Sequence, residues 1–377
     1  MVSEKWVTEA LEKVRKKIKV TSEKNRDKIP YKTDANGDYD DNSDIREDGS
    51  GLDWWTNGFW AGTLWRMFED TGDKEYAEIA KISEKKMEAC LQHYYGLNHD
   101  VGFMYMLTAG ADYRLTGDKE SLRTLLHAAN LLAGRFNPSG NFIRAWNDVW
   151  GKNTGWAIID CMMNLSLLYY ASEITKDPRY KNVAKLHADR VIEAFVRKDG
   201  SCCHIVEFDP ETGERLRSLA GQGYDHGSSW TRGQAWGLYG FVISYLHTGE
   251  KKYLDTAVRI ADHCLKNVPE NGIIPIDFCQ PAEPRLEDSC GACIMADGFI
   301  ELAGQLGTDG EKYLAAGKKI LKAIAEKRCD YSLDCDAFVQ NCSASYHAKE
   351  HHFTMNYADY FFIEGLHKLE GIGSFYW

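Results

Sequence analysis

The sequence predicts an all-α protein, an (α/α)6 barrel of six inner and six outer helices that occupies residues 1–377 as a single domain. Two observations predict this fold. A short phrase recurs along the chain, which is typical of repeat architectures. Each copy also separates a largely apolar segment from an amphipathic one, as expected for stacked helix pairs. The copies are TGDKEY (71–76), TGDKES (116–121), TKDPRY (175–180), TGEKKY (248–253) and TDGEKY (308–313).

The segments that follow the copies are predicted to be the outer helices. After the fourth copy, apolar residues recur with i, i+3, i+4 spacing from Tyr253 to Val268, and after the fifth copy from Tyr313 to Ile324. This spacing gives a helix one apolar stripe and one solvated face. The amphipathic segment Trp6–Ile18 precedes all the copies and is predicted to be the sixth outer helix.

The segments that precede the copies are predicted to be the inner helices, because they are apolar on most sides. A sixth segment of this kind ends the chain. The six are GFWAGTLWRMFED, GFMYMLTAGADYRL, AIIDCMMNLSLLYYASEI, RGQAWGLYGFVISYLH, GACIMADGFIELAGQL and NYADYFFIEGLHKLEG. A closed ring is favoured over an open solenoid, because the N-terminal helix supplies the outer partner that the last inner helix lacks.

All inner helices of such a barrel run in the same direction, so their N-terminal ends open on one mouth. Polar and aromatic residues concentrate at these starts, as in DWWTNGFW, NHDVGF and SSWTRGQAW. The free N–H groups of helix starts also favour a bound anion. The sequence therefore predicts a polar cleft with aromatic walls at this mouth.

Two acidic residues are the candidate catalytic groups. Asp160 lies in an otherwise apolar segment, where an unpaired charge is costly and burial raises the pKa of a carboxyl group. Asp100 follows His99 at another inner-helix start, where it could be a helix N-cap. A position facing Asp160 across the mouth favours the alternative interpretation, a second catalytic carboxylate.

The candidate binding residues lie at the same mouth or on loops that lead to it. Arg232 lies between Trp230 and Trp236 and suits bidentate recognition of a carboxylate, although it could also tie inner helices together. Further candidates come from two inner-helix starts and from three connecting loops. They are Trp55, His99, Trp146, His204 and Gln222.

Composition excludes several functional classes. The chain has 45 Lys+Arg against 56 Asp+Glu, a formal net charge of −11, which argues against a nucleic-acid-binding protein. No apolar run approaches the ~20 residues of a membrane span. With no signal-peptide pattern and with 11 irregularly spaced cysteines, a cytoplasmic protein is expected.

No metal or cofactor is expected, because Cys290 and Cys293 form a lone CxxC pair. The sequence does not indicate an oligomeric state.

Four motifs, WTNGFW, NHDVGF, IIDCMMNL and WTRGQAWG, begin four successive predicted inner helices. In this order the chain closely resembles the unsaturated glucuronyl hydrolases of glycoside hydrolase family 88, from about Asp53 to residue 377. The resemblance implies a cytoplasmic bacterial enzyme with an (α/α)6 barrel. It implies that Asp160 is the general acid and base and that Asp100 is a second essential carboxylate. It also implies a substrate site lined by Trp55, His99, Trp146, His204, Gln222, Arg232 and Trp236.

The implied substrates are oligosaccharides left by polysaccharide lyases, glycosaminoglycan-type disaccharides among them, whose terminal uronic acid has a C4=C5 double bond. This sugar is a vinyl ether, so a protonated Asp160 can deliver a proton to C4 and its carboxylate can then accept one from the attacking water. The resulting hemiketal opens and releases the glycan. Neither step requires a metal or a cofactor.

Two alternatives remain open. An unsaturated rhamnogalacturonyl hydrolase has the same barrel and chemistry but acts on pectin fragments. A sugar epimerase or a noncatalytic sugar-binding barrel belongs to a different class, because one fold hosts many functions. An epimerase would need a pair of catalytic histidines at the mouth, whereas the inner-helix groups here are carboxylates.

Overall fold

A computed structural model of the chain describes residues 4–46, 50–94, 96–147 and 152–377. Twelve α-helices lie within these ranges. The first six are α1 (Lys5–Lys24), α2 (Gly58–Thr71), α3 (Lys74–His93), α4 (101–116), α5 (Lys119–Gly134) and α6 (Cys161–Thr175). The others are α7 (Pro178–Ala194), α8 (Thr231–Thr248), α9 (Lys251–Asn267), α10 (Ser289–Leu306), α11 (Glu311–Lys327) and α12 (Asn356–Glu370). Helix α4 contains a π-helical stretch, Met106–Gly110, and short 3-10 turns occupy Trp55–Asn57 and Gly307–Gly310.

The even-numbered helices form a closed ring. Helices α2, α4, α6, α8, α10 and α12 each pack against the next, and α12 packs against α2. Each odd-numbered helix from α3 to α11 packs outside on the inner helix that precedes it, and α1 packs on α12. The predicted (α/α)6 barrel is therefore confirmed, including the role of the N-terminal helix as the outer partner of the last inner one.

Burial explains which helices lie inside. In α8 every residue from Thr231 to Ser244 is buried. In α9, by contrast, the buried residues follow one stripe along the helix, which is how an outer helix buries one face and solvates the other. None of the helices in the described ranges is long and apolar enough to cross a membrane.

The recurring phrase is the turn from an inner helix to its outer partner. Its glycine ends the inner helix in a left-handed conformation, as at Gly72 and Gly117, with φ of 72° and 75°. In the third copy Lys176 adopts this conformation, with φ of 60°. The aspartate then caps the outer helix, since the carboxylates of Asp73 and Asp118 accept hydrogen bonds from the N–H groups of the first turn. The phrase recurs because each helix pair needs the same stop and start.

Aromatic side chains fill the channel of the barrel. This aromatic column consists of Trp55, Phe59, Phe103, Trp236, Tyr357, Phe361 and Trp377. The ring of Trp377 is fully buried and stacks on Phe361 with centroids 5.9 Å apart. Its indole N–H donates to the Glu364 carboxylate, and its carbonyl lies 3.2 Å from His247 Nε2 at the last turn of α8. Trp377 therefore closes the barrel at the end opposite the mouth.

The structure differs from the sequence-based expectation at the mouth, where short strands precede two inner helices. Strand β3 (Trp156–Ile158) pairs antiparallel with β4 (Ile205–Phe208), and β4 pairs with β5 (Arg215–Leu219). A separate hairpin joins β1 (Phe136–Asn137) to β2 (Phe142–Ile143). Helix α6 thus begins at Cys161 and not within the preceding AIID segment. Helix α1 also extends beyond the predicted Trp6–Ile18 at both ends.

Candidate active site

The two candidate catalytic carboxylates lie at the starts of neighbouring inner helices. Asp100 immediately precedes α4 and Asp160 immediately precedes α6. Helices α4 and α6 are adjacent in the ring, so both carboxylates lie on the same side of the mouth. The side chains are 9% and 16% exposed respectively, so Asp160 is the more accessible of the two.

Asp160 has the electrostatics of a group that exchanges a proton near neutral pH. Burial raises the pKa of its carboxyl group to about 7, and the positive charge of Arg232 limits this rise. Its Oδ1 is buried and accepts no hydrogen bond from any side chain in the described ranges. The nearest basic atom is Nε2 of His204, at 3.8 Å. Asp160 therefore has a free acceptor oxygen at the mouth and a pKa suited to proton transfer.

His204 is held as a neutral donor beside Asp160. Its Nδ1 accepts a hydrogen bond of 2.9 Å from the backbone N–H of Gln222, so the ring proton lies on Nε2, which is the atom near Asp160. Burial lowers the pKa of His204 to about 3, so the ring carries no charge. The loop can approach this closely only with glycine at 221, because a Cβ there would lie 1.9 Å from Nδ1 and φ is +60°.

Asn164 connects the carboxyl group of Asp100 to the backbone of Asp160, and it was not among the residues selected from the sequence. Its Nδ2 lies 3.4 Å from Asp100 Oδ1 and 3.2 Å from the backbone carbonyl of Asp160. Its Oδ1 accepts a hydrogen bond of 2.7 Å from the N–H of Phe103 in the first turn of α4. Asn164 is fully buried. The signal that could have found it is its place as the one amide in the apolar run after Asp160.

Asp100 differs from an ordinary N-cap aspartate in its burial and in its raised pKa. Burial raises the pKa of its carboxyl group well above the usual range, and the charge of Asp160 raises it further. Its side chain accepts no capping hydrogen bond from the first turn of α4. Asp100 therefore occupies the N-cap position of α4 but does not cap the helix with its side chain. Asp100 is a buried carboxyl group that holds its proton more strongly than an exposed aspartate does.

Arg232 is buried and committed to protein partners. Its Nη1 donates to Asp288 Oδ2 at 2.7 Å and to the carbonyl of Ser343 at 2.9 Å. Its Nη2 donates to the carbonyl of Ala344. The guanidinium also lies 5.0 Å from the centroid of the Trp230 ring. Arg232 therefore ties α8 to the start of α10, the structural alternative left open by the sequence, and at the same time places a positive charge near Asp160.

Gln222 and Trp230 complete the surroundings of His204. The side-chain amide of Gln222 donates to the carbonyl of Ala344 at 2.7 Å, which is also a partner of Arg232. The Trp230 ring packs on His204 with centroids 4.3 Å apart. Four of the predicted residues, together with Asp160, therefore form one contiguous cluster.

The other predicted aromatic residues lie at different depths. Trp55 is partly exposed at the top of the aromatic column, 4.9 Å from Tyr357. Trp146 is partly buried at the rim, 6.1 Å from Trp156. Trp236 is fully buried within the column, 5.0 Å from Phe103, so it supports the floor of the mouth and does not reach its surface.

His99 is also buried and lies beside Asp100. Its Nε2 is 3.5 Å from Asp100 Oδ1, and burial lowers the pKa of the ring well below its usual value. Its backbone N–H donates to the carbonyl of Ala145 at 3.1 Å, which joins the start of α4 to the segment that carries Trp146. The ring is therefore a neutral hydrogen-bonding group in the wall of the site.

Comparison with known proteins agrees with this arrangement. The family model described as Glycosyl Hydrolase Family 88 matches residues 16–371. The unsaturated glucuronyl hydrolase of Bacillus sp. (strain GL1) is 36% identical, over 93% of this chain and 93% of that protein. The unsaturated chondroitin disaccharide hydrolase of Streptococcus agalactiae is 31% identical, over 98% of this chain and 93% of that protein.

Solved structures agree as well. The crystal structure of the Bacillus sp. GL1 unsaturated glucuronyl hydrolase superposes with a TM-score of 0.92, at 33% identity and over 98% and 99% of the two chains. The unsaturated glucuronyl hydrolase from Streptococcus agalactiae superposes with a TM-score of 0.89, at 30% identity and over 99% and 94% of the two chains. The similarity extends over nearly the full length of every protein compared. The chain therefore belongs to glycoside hydrolase family 88 and is a glycoside hydrolase.

Proposed function

We propose that this protein is an unsaturated glucuronyl hydrolase that uses Asp160 as a general acid and then as a general base. Its substrates are lyase-generated oligosaccharides, glycosaminoglycan-type disaccharides among them, that end in a 4,5-unsaturated uronic acid. The observation that carries the proposal is a partly exposed carboxyl group at the barrel mouth with a pKa of about 7 and an oxygen that accepts no side-chain hydrogen bond in the described ranges.

The first step adds a proton to C4 of the unsaturated sugar. At neutral pH about half of the Asp160 carboxyl groups are protonated, so the acid form is abundant when substrate arrives. Protonation of C4 leaves a positive charge shared between C5 and the ring oxygen. The carboxylate that remains on Asp160 stabilises this charge, and the Nε2–H of His204 can orient that carboxylate or a sugar oxygen beside it.

The second step adds water to C5. The Asp160 carboxylate accepts a proton from the attacking water, which returns Asp160 to its acid form. The product is a hemiketal at C5, which opens and frees the next sugar as the leaving alcohol. Asp100, whose pKa is raised by burial and by the charge of Asp160, provides a hydrogen-bonding group for sugar hydroxyls, supported by Asn164.

Two features support this function over the alternatives. The relatives named above act, according to their names, on unsaturated glucuronyl or chondroitin substrates. The two histidines nearest the carboxylates, His99 and His204, have pKa values lowered by burial, which does not suit the acid–base pair of an epimerase.

The eleven free cysteines support a cytoplasmic location. The proposal treats residues 1–377 as one catalytic domain, and the closed ring of inner helices supports this.

The test is the loss of ultraviolet absorbance that follows when the conjugated double bond is hydrated. A lyase-generated chondroitin disaccharide is incubated with the wild-type protein, with Asp160→Asn and with Asp309→Asn. Asp309 is an exposed carboxylate in the turn after α10, so its variant controls for the loss of one negative charge. We expect rapid loss of absorbance with the wild type and the control and none with Asp160→Asn. Unchanged absorbance with the wild type on chondroitin, hyaluronan and heparin disaccharides would reject the proposal.

A further inference from the structure

A second pocket lies beside the barrel mouth, between the ends of outer helices α3 and α5. We call it the rim pocket. It has a volume of about 470 Å³. Its lining includes Tyr94, Arg135, Asn137, Arg144, Asn147 and Thr154.

The rim pocket carries concentrated positive charge. Arg135 and Arg144 both line it, and neither forms an ion pair with a carboxylate in the described ranges. Burial lowers the pKa of Arg135 to about 10, and the positive charge of Arg144 contributes to this decrease. The described lining residues include no Asp or Glu. Two adjacent arginines without an ion-pair partner among the described residues, in a chain of net charge −11, favour an anionic ligand at this place.

The two arginines differ in how they are held. Arg135 is fixed by the backbone, because it donates to the carbonyl of Arg144 at 2.9 Å and to that of Ala145 at 2.8 Å. It also donates to Asn147 Oδ1 at 2.7 Å. Arg144 is half-buried, and its Nε is buried without a hydrogen-bond partner. An unpaired guanidinium N–H is costly to bury, and an oxyanion would satisfy it.

The rim pocket and the active site share a wall. The carbonyl of Ala145 accepts hydrogen bonds both from Arg135 in the pocket and from the backbone N–H of His99 at the mouth. The charge of Arg135 also lowers the pKa of Asp100, so the two places are in electrostatic contact. Trp146 follows Ala145 at the rim. A ligand held at the mouth therefore has the rim pocket as its neighbour.

We propose that the rim pocket is an oxyanion subsite in which Arg144 binds a sulfate or carboxylate group. Given the proposed function, this group belongs to the sugars that follow the unsaturated uronic acid in the substrate. The guanidinium presents paired N–H donors that match an oxyanion, and the hydroxyl-bearing Thr154 belongs to the same lining. The subsite would select acidic glycans, while Asp160 performs the same chemistry on all of them.

The first experiment tests the subsite without turnover. Binding of sodium sulfate is measured by isothermal titration calorimetry for the wild type, Arg144→Gln, Arg144→Lys and Lys16→Gln. Lys16 lies on the exposed face of α1, so its variant removes one positive charge elsewhere. We expect Arg144→Gln to weaken sulfate binding roughly ten- to a hundredfold, the usual effect of losing charge-assisted hydrogen bonds. Arg144→Lys should retain part of the affinity and Lys16→Gln all of it. Equal sulfate affinity in the wild type and Arg144→Gln would overturn the subsite.

The second experiment identifies the source of the oxyanion. KM and kcat are measured for the wild type and Arg144→Gln with three lyase products: an unsulfated disaccharide, a sulfated disaccharide and an unsulfated tetrasaccharide. We expect KM to rise about tenfold or more for a product with a further acidic group, with kcat unchanged and the unsulfated disaccharide unaffected. Weakened sulfate binding without any change in KM would overturn the glycan assignment and leave a site for a free oxyanion. If the wild type hydrates none of the products, the proposed function fails, and the calorimetry still decides whether the subsite exists.

Discussion

Replacing Asp160 with Asn should abolish activity and stabilise the folded protein in the same variant. The amide keeps the shape of the side chain but has no transferable proton. A general acid or base contributes about 10²–10⁴-fold to a rate, and Asp160 serves in both steps, so we expect a loss of at least ~10³-fold in kcat. The gain in stability follows from the environment of the carboxyl group, which disfavours its charge.

The size of the stability gain follows from the pKa. Burial raises the pKa of Asp160 from 3.8 to about 7, which means that ionisation costs the folded protein on the order of 4 kcal/mol more than it costs the unfolded chain. The unfolded chain releases this proton first, so the penalty is small below pH 4, grows as the pH rises and is complete above about pH 7. Asn does not ionise. Asp160→Asn should therefore exceed the wild type in free energy of unfolding at pH 8 by up to about 4 kcal/mol more than at pH 4.

Urea denaturation at pH 4, 6 and 8, followed by tryptophan fluorescence, measures this difference. The pH profile of wild-type kcat/KM provides an independent check, because the protonated form of Asp160 should fall tenfold for each pH unit above about 7. Asp309→Asn should show neither effect. A variant with a tenth of wild-type activity would place the acid elsewhere. A stability difference that does not change between pH 4 and pH 8 would show that ionised Asp160 is not destabilising.

Four further predictions address the rest of the site. Asp100→Asn should lower kcat severely, yet leave the alkaline limb of the pH profile near pH 7, because burial and the charge of Arg232 set the pKa of Asp160. Asn164→Leu should lower both kcat and the free energy of unfolding, the latter by about 1–3 kcal/mol in urea, because the buried N–H of Phe103 loses its acceptor. Reaction in D₂O should place deuterium at C4, and reaction in H₂¹⁸O should label C5; mass spectrometry that finds ¹⁸O at C1 would contradict hydration of the double bond. Thiol titration should find all eleven cysteines reactive in denaturant, with Cys279, the exposed one, reacting first in the native protein.

The helices of the barrel were predictable because each one carries its own pattern of burial. An apolar stripe or an all-round apolar surface is a local property, and the turns between inner and outer helices repeat the same glycine and aspartate. The start of α6 was not predictable in this way. The residues before Asp160 are apolar and suit a helix or a strand, and Ala157 is in a strand because Val206, distant in sequence, pairs with it.

Asp160 could also be selected from the sequence as a candidate, since a lone Asp in an apolar run is unusual. Two of the residues that surround the candidate carboxylates could not be selected from the sequence. Asn164 and Arg135 act through hydrogen bonds to atoms of other segments, Asn164 on the N–H of Phe103 and Arg135 on the carbonyl of Ala145. A sequence pattern names a side chain but not the backbone atom that it contacts. For the same reason the partnership of Arg232 with Asp288 became visible only in the folded chain.

The aromatic column determines how a glycan can enter and leave. Because Trp377 and Phe361 close the far end of the channel, the barrel is a blind cup and not a tunnel. A polysaccharide cannot thread through it, so only a chain terminus can reach Asp160. Under the proposed chemistry each chain loses a single terminal residue, because the end that remains has no double bond to hydrate. Both products must return through the mouth by which the substrate arrived. Occupancy of the cup by the released sugar should therefore compete directly with the next substrate, which predicts product inhibition of the competitive type.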